Sequence, residues 1–370
     1  MQKISTLKHW LFLVLIIFFY LAKLYFSYPE IFSYRFSPDL INHYFCSQDI
    51  TQEVACKREF LSDGDLHIAS GYLYIKGYDP SIYHFQHMPF IEYLYGLTII
   101  LFQNPYYLEI LLVILYLIVS YIFVRKTFQS NTIALFTCLL LSVGPLLRTL
   151  ASDASLDVGQ AVLMLIYGYL IIHKPKDFLL QGFILGLFAS AKFWGAVPFF
   201  VIMFFGFNLY KKRFSIKNFI LHLCVGLITF SLTYIVTFVD NGGNFNIFFF
   251  QLKVLKYWFE HSSASIPFSS VGLFLTGYHE NWWNSVSIVA KSEVWSLVWP
   301  LAFLISLIVL VKDILNKKFT QITLFALIPV CYLFYIGEQA PFIRYFILIL
   351  PFFYATTIKY LMENLETKKH

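Results

Sequence analysis

Long apolar runs separated by short basic punctuation set the plan of the chain, with 131–147, 218–238 and 296–311 apolar almost throughout. Runs of that length without alternation predict membrane-crossing helices, whereas outer-membrane strands alternate apolar and polar positions over about ten residues. Lys3 and Lys8 precede a run from Trp10 to about Phe26 that lacks the small-residue cleavage site of a secretory signal and is followed by Tyr28-Pro29-Glu30, so it reads as a retained first span. Further runs lie near 106–124, 131–147, 157–172, 178–191, 194–210, 218–238, 296–311, 319–336 and 343–358, about ten spans in all. The 178–210 stretch is too long for one crossing at 1.5 Å rise per residue, and suits two short helices joined near Lys192-Phe193-Trp194-Gly195.

Charge sets the sidedness. Cytoplasmic connections should be rich in lysine and arginine. In this threading Lys3, Lys8, Arg125, Lys126, Lys174, Lys176, Lys211, Lys212, Arg213, Lys217, Lys312, Lys317, Lys318, Lys359, Lys368 and Lys369 all fall inside, joined only by Asp177, Asp313, Glu363 and Glu366. Both termini are then cytoplasmic. Residues 89–103 are apolar enough to span, yet counting them would invert every later loop, so they read as a helix lying at the outer interface. Two outer segments are long, 28–105 and 239–295, which places chemistry on the extracytoplasmic face. The expected architecture is a single integral membrane domain over 1–370, all-α and polytopic, with interfacial helices in two long outer loops.

Composition agrees: 59% of the 370 residues are hydrophobic, 20% aromatic and only 13% charged, which excludes a water-soluble globule. The net charge of +6 is dispersed between apolar runs and forms no patch, which excludes nucleic acid as partner. Cys138, Cys224 and Cys331 sit within spans, whereas Cys46 and Cys56 share the first outer loop and form either a disulfide or two free thiols.

The first outer loop carries Ser62-Asp63-Gly64-Asp65-Leu66-His67, a helix-like stretch to Lys76, then Gly77-Tyr78-Asp79-Pro80 and His84-Phe85-Gln86-His87-Met88-Pro89. Either aspartate suits a general base; either also suits a plain helix start, with Ser62 as N-cap and Asp65 at N3. Lys192 lies within an apolar stretch, where a lysine at the span centre costs about 2.5–3.5 kcal/mol, so it needs a partner or an exit to water. Arg148, Asp153 and Asp157 cluster in a short outer connection, and Arg344 opens the last run. Lys192, Arg148 and Arg344 are the candidate phosphate contacts; snorkelling to headgroups, or pairing with Asp153 and Glu338, is the competing role for the arginines. His84 and His87 are candidate substrate or metal contacts, although they and His67 read more simply as interfacial residues of an aromatic belt. Asp153, Asp157, Trp282 and Trp283 complete the candidate substrate contacts, with a belt role for the tryptophans the stronger expectation. No nucleophile triad, phosphate-binding glycine loop or zinc spacing is present, no cofactor is implied with certainty, and a divalent metal stays open. Isolated glycines such as Gly159 suit close helix packing.

The first loop, with Asp63-x-Asp65, a helix, Gly77-x-Asp79-Pro80 and Pro89, resembles that of GT-C-type integral membrane glycosyltransferases that use polyprenyl-phosphate sugars. Gly159-Gln160, Gly182-x-x-x-Gly186-Leu187 leading to Lys192, and Arg344-Tyr345 with Pro351 are similar to the mannosyltransferases of that superfamily. The chain departs from it in having Met88-Pro89 where two prolines are common. The resemblance implies an enzyme of the bacterial inner membrane or endoplasmic reticulum, transferring a hexose or pentose from a polyprenyl-phosphate donor to an extracytoplasmic lipid, glycan or protein acceptor. It implies inversion with a loop aspartate as base, Asp65 being preferred because it opens the helix. The alternatives are a flippase of lipid-linked saccharides and a non-catalytic subunit of the same shape.

Overall fold

The computed structural model describes residues 2–48, 60–213, 215–262, 266–281 and 288–367. The apolar runs become helices. The chain opens with α1 (Gln2–Ser27), α2 (Pro29–Ser33) and α3 (Asp39–Gln48), followed by α4 (Asp63–Ile75) and α5 (Phe90–Phe102). A central group follows: α6 (Tyr106–Phe128), α7 (Asn131–Val143), α8 (Pro145–Ser152), α9 (Leu156–His173), α10 (Phe178–Ala191), α11 (Val197–Tyr210) and α12 (Ile216–Leu232). The second outer segment contributes α13 (Ile235–Asp240), α14 (Ile247–His261), α15 (Ser269–Thr276) and a small antiparallel pair, β1 (Tyr278–Asn281) with β2 (Ile288–Lys291). The chain closes with α16 (Val298–Leu315), α17 (Gln321–Tyr335) and α18 (Leu350–Thr367). The hairpin is the one departure from an all-helical reading among the described residues.

Four helices are by themselves long and apolar enough to cross a bilayer: Lys8–Ser27, Tyr106–Phe128, Leu156–His173 and Val298–Leu315. The pair α7 and α8 makes a fifth, bent by 57°. The bend has a local cause: Pro145 opens α8, and its ring pushes Gly144 out of the helical region to ψ 143°. The 178–210 stretch breaks where expected, with Lys192 fully extended between α10 and a 3-10 turn at Trp194–Ala196. The run expected at 343–358 is different. Ile343–Leu348 is a 3-10 turn, and the α-helix begins only at Leu350 and continues to Thr367, so Arg344 lies on the 3-10 turn ahead of the α-helix rather than in it. Leu11, Phe12, Phe18 and Phe19 on α1, like Leu301, Leu304 and Ile308 on α16, point outward, an apolar exterior suited to lipid. The chain is an integral membrane protein.

Two contacts fix the first outer loop. Helices α4 and α5 cross closely because both are glycine at the crossing: a Cβ on Gly71 would lie 2.3 Å from the Glu92 carbonyl oxygen, and one on Gly96 would lie 2.0 Å from the carbonyl oxygen of Gly71. Both obstacles are backbone and cannot swing aside. Gly71→Ala is therefore expected to destabilise the protein by at least about 1–3 kcal/mol, the usual cost of overpacking; an unchanged melting temperature in detergent would show that the crossing relaxes freely. The second contact uses Asp79. Its Oδ1 accepts from the Ser81 amide at 2.8 Å and from Thr237 Oγ1 at 2.5 Å, tying the first outer loop to α13. Beside it Met88, Phe230, Tyr234, Phe250 and Val254 form an apolar cluster, and Trp258 Nε1 donates to the Gln86 carbonyl at 2.8 Å. The two outer segments are thus one packed unit.

Candidate active site

The N-terminus of α4 decides what each loop aspartate does. Ser62 is the N-cap: its hydroxyl accepts from the Asp65 amide at 3.1 Å and donates to the Asp65 carboxylate at 2.8 Å. Asp65 is therefore engaged in capping its own helix. Asp63, on another face, accepts from Arg344 Nη1 at 2.5 Å. The helix reaches this position because Gly64 has no side chain: a Cβ there would lie 2.3 Å from the Asp153 carbonyl oxygen, in the connection between α8 and α9. Of the two loop carboxylates, Asp65 thus faces its own cap and Asp63 faces Arg344.

From Arg344 the network continues inward. Its Nε lies 3.8 Å from Asp157 Oδ2, and Asp157 Oδ1 is 2.5 Å from Lys192 Nζ. Asp157 is held in turn by Ser155, the N-cap of α9, whose hydroxyl donates to Oδ2 at 2.8 Å. The order Asp63, Arg344, Asp157, Lys192 alternates in sign, so two cations are held by two carboxylates in a row that is partly exposed at Asp63 and buried at Lys192. Lys192 and Asp157 have only 8% and 4% of their side chains exposed. Lys192 is placed by the break after α10 and lies over the Tyr345 ring at 4.8 Å from its centroid; the Arg344 guanidinium lies over Phe342 at 4.5 Å. Both aromatic faces favour a cation.

Lys192 also borders a cleft lined by Gln160, Phe193, Trp258, Tyr332, Tyr335 and Tyr345, among others. About 40 Å³ of it is open to water-sized occupants, room for a few waters and less than a sugar needs. Asp157 engages one of the three ammonium hydrogens, which leaves donors for the cleft. Next to it an apolar groove of about 760 Å³ runs between α10, α11, α12 and α14, with Leu185, Trp194, Val201, Leu227 and Phe248 in its walls. Trp194, two residues beyond Lys192, therefore faces the groove.

The carboxylates do not share one ionisation. Burial alone would raise the Asp63 pKa, but the charge and hydrogen bond of Arg344 outweigh it and hold the group below the ordinary aspartate value. Asp153 has no such close cation. Loss of solvent around its carboxyl, with Asp63, Asp157 and Asp65 nearby, pushes it up to about 6 against a partial offset from Arg344. A raised acid favours the folded state while protonated and loses that contribution as pH rises through 6. Asp153→Asn is accordingly expected to raise the melting temperature at pH 7.5 and leave it nearly unchanged at pH 3, below the ordinary aspartate value, where the native side chain is neutral in both the folded and the unfolded chain. An equal shift at both values would contradict that electrostatic origin.

Other candidates are placed differently. Arg148, on α8, has no ion-pair partner among the described residues, and its charge is felt at Tyr20 of α1. His84 and His87, and with them His67, are not on an interfacial belt. All three are buried around Glu92, a residue overlooked because it sits in the apolar run of α5. Burial pushes His67 below the ordinary histidine value despite Glu92, and pushes His87 well below it, with His84 and His67 adding to the effect on His87. Cys46 lies in α3, while Cys56, Trp282 and Trp283 lie outside the described residues. Gly182 and Gly186 do serve packing: a Cβ on either would lie 2.5 Å from a carbonyl oxygen of α12.

No family model matches the sequence, and no curated protein matches it. Solved structures do. ArnT from Cupriavidus metallidurans in the apo state superposes with a TM-score of 0.57, at 15% identity over 86% of this chain and 57% of that one. The same protein bound to undecaprenyl phosphate gives 0.53, at 14% identity over 86% and 58%. The fold is of the GT-C type. The apo oligosaccharyltransferase of Archaeoglobus fulgidus is a further match, with a TM-score of 0.48 at 13% identity over 89% of this chain and 51% of that one. The chain thus spans little more than half the length of the structures it resembles. Within the GT-C fold, the cleft residues missed from sequence are contributed from afar, Trp258 from α14 and Tyr332 and Tyr335 from α17, beside Gln160 of the Gly159-Gln160 pair on α9.

Proposed function

We propose that the chain is a glycosyltransferase that moves a sugar from a polyprenyl-phosphate carrier to a hydroxyl acceptor on the extracytoplasmic side. The observation that carries this reading is the alternating row Asp63, Arg344, Asp157, Lys192 with its inner end on a cleft. In the reaction the acceptor oxygen attacks the anomeric carbon from the face opposite the phosphate. Its proton passes to Asp63, the bond from carbon to phosphate oxygen breaks, and the phosphate leaves with the electron pair. Lys192 and Arg344 stabilise the charge that develops there, the former as a point charge and the latter through its planar fork. As Arg344 turns toward the phosphate, Asp63 loses its stabilising partner and becomes more basic when a proton must be taken up. The groove beside Trp194 suits the carrier's apolar chain, and one of the GT-C structures was captured with undecaprenyl phosphate. The lysine-rich connections support cytoplasmic termini with the site on the opposite face.

The deciding experiment is purification of the full chain in detergent, addition of synthetic polyprenyl-phosphate sugars with membrane-extracted acceptors, and mass spectrometry of the products. A new glycosidic product together with free polyprenyl phosphate is expected. Movement of donor between vesicle leaflets with no product in detergent would make the protein a translocator, and normal folding without either activity would make it a non-catalytic subunit.

A further inference from the structure

One turn beyond Asp63, the first outer loop folds a second polar cluster into its own core. Glu92 of α5 is fully buried, and its Oε1 lies 3.0 Å from His67 Nδ1 and 2.6 Å from His84 Nδ1. The ligand-capable atoms of these three residues lie within 4.8 Å of one another. His87 closes the group, its ring centroid 4.8 Å from that of His84 and 5.1 Å from that of His67. Two of the atoms have nothing to bond: Glu92 Oε2 and His87 Nδ1 are buried without a hydrogen-bond partner among the described residues. A carboxylate removed from water is costly unless paired or bound to metal, and an orphaned second oxygen on a carboxylate flanked by imidazoles marks a place where a cation belongs.

We propose that His67, His84 and Glu92 form a binding site for one divalent transition-metal ion of the zinc class, with His87 packed against the two imidazoles. Two imidazoles and a carboxylate are a donor set that borderline ions such as zinc prefer, while calcium and magnesium take oxygen ligands. Bonds of about 2.0–2.1 Å in a tetrahedron separate ligand atoms by about 3.3 Å, so His67 and His84 move back from Glu92 Oε1 by a fraction of an ångström while the widest pair of the three, within 4.8 Å, closes toward the ion. The ion fastens α4, the His84–His87 turn and the start of α5 to one point. Its existence does not depend on the transfer reading; only its consequence for Asp63, which shares α4 with His67, rests on that reading.

The test begins with the unaltered, untagged full-length protein in detergent. It is stripped with chelator, reloaded with zinc or cobalt(II), and read by elemental analysis and by the visible absorption of tetrahedral cobalt. About one ion per chain and a tetrahedral cobalt spectrum are expected. His84→Ala and Glu92→Gln should weaken zinc binding by more than the roughly 10- to 100-fold that follows loss of a supporting residue. A native protein that takes up no ion, or one whose ion persists undiminished in both variants, overturns the proposal. If either variant fails to fold, the wild-type titration still decides, because a zinc-dependent rise in melting temperature and a tetrahedral spectrum need no substitution. A native protein that holds the ion yet shows no transfer counts against the proposed function and leaves this site standing.

Discussion

Asp63→Asn is expected to reduce sugar transfer by about 10²- to 10⁴-fold, the range a positioned general base contributes. The substitution changes little else. Asparagine has the same shape, and its carbonyl oxygen still accepts from Arg344, so the 2.5 Å contact and the α4 N-terminus are retained. What is lost is the capacity to take up a proton, so kcat should fall while KM for the donor stays close to native. Asp65→Asn is the informative control. It removes a negative charge from the first turn of α4 and weakens the reciprocal bond with Ser62, at a cost of about 0.3–1 kcal/mol in stability, and it should leave transfer within a few-fold of native. Equal losses in the two variants would mean that the loop acts as a structural unit; a strong loss confined to Asp65→Asn would return the role to that residue. The pH profile adds an independent check. Because Arg344 holds Asp63 below the ordinary aspartate range, the base is ionised throughout neutral pH, and the acid limb of free-enzyme activity should lie below the pH at which an unperturbed aspartate titrates.

Much of this site is legible in the chain because membranes penalise charge so heavily. A lysine between Ala191 and Phe193 and an arginine between Ile343 and Tyr345 stand out from apolar surroundings, and both belong to the observed row. Helix positions are legible for the same reason, although a hydropathy run does not distinguish a helix from the 3-10 turn that carries Arg344. The choice between Asp63 and Asp65 is harder. Ser62 with Asp65 at N3 signals a cap, but only the approach of Arg344, 281 residues away, shows which carboxylate is paired with a cation. The histidines mislead because a tyrosine-rich loop resembles an interfacial belt, and their burial depends on the glycine crossing of α4 with α5. A signal was present in Phe90-Ile91-Glu92-Tyr93, where an acid interrupts an apolar helix and needs a partner as Lys192 does. Arg148 shows the reverse: a cation near the acidic connection that has no ion-pair partner among the described residues.

Lys192→Met is expected to do two separable kinds of damage. The first is structural. With 4% of its side chain exposed, Asp157 would retain Ser155 and the distant Arg344 Nε at 3.8 Å, and breaking one half of a buried pair costs about 3–5 kcal/mol. The second is chemical: loss of a fixed cation beside the departing phosphate costs about 10²–10³ in rate. The double variant Lys192→Met with Asp157→Asn separates them. Removing both charges leaves no uncompensated ion, so stability should return to within about 1 kcal/mol of native, as replacement of whole buried pairs often allows. Transfer should remain suppressed, because neither substituent brings positive charge to the cleft. Recovery of transfer together with stability would show that Lys192 serves only to neutralise Asp157 and that the phosphate is held elsewhere. Suppression that survives restored folding assigns it to the reaction, and explains why a lysine persists where a methionine would insert into the membrane at lower cost.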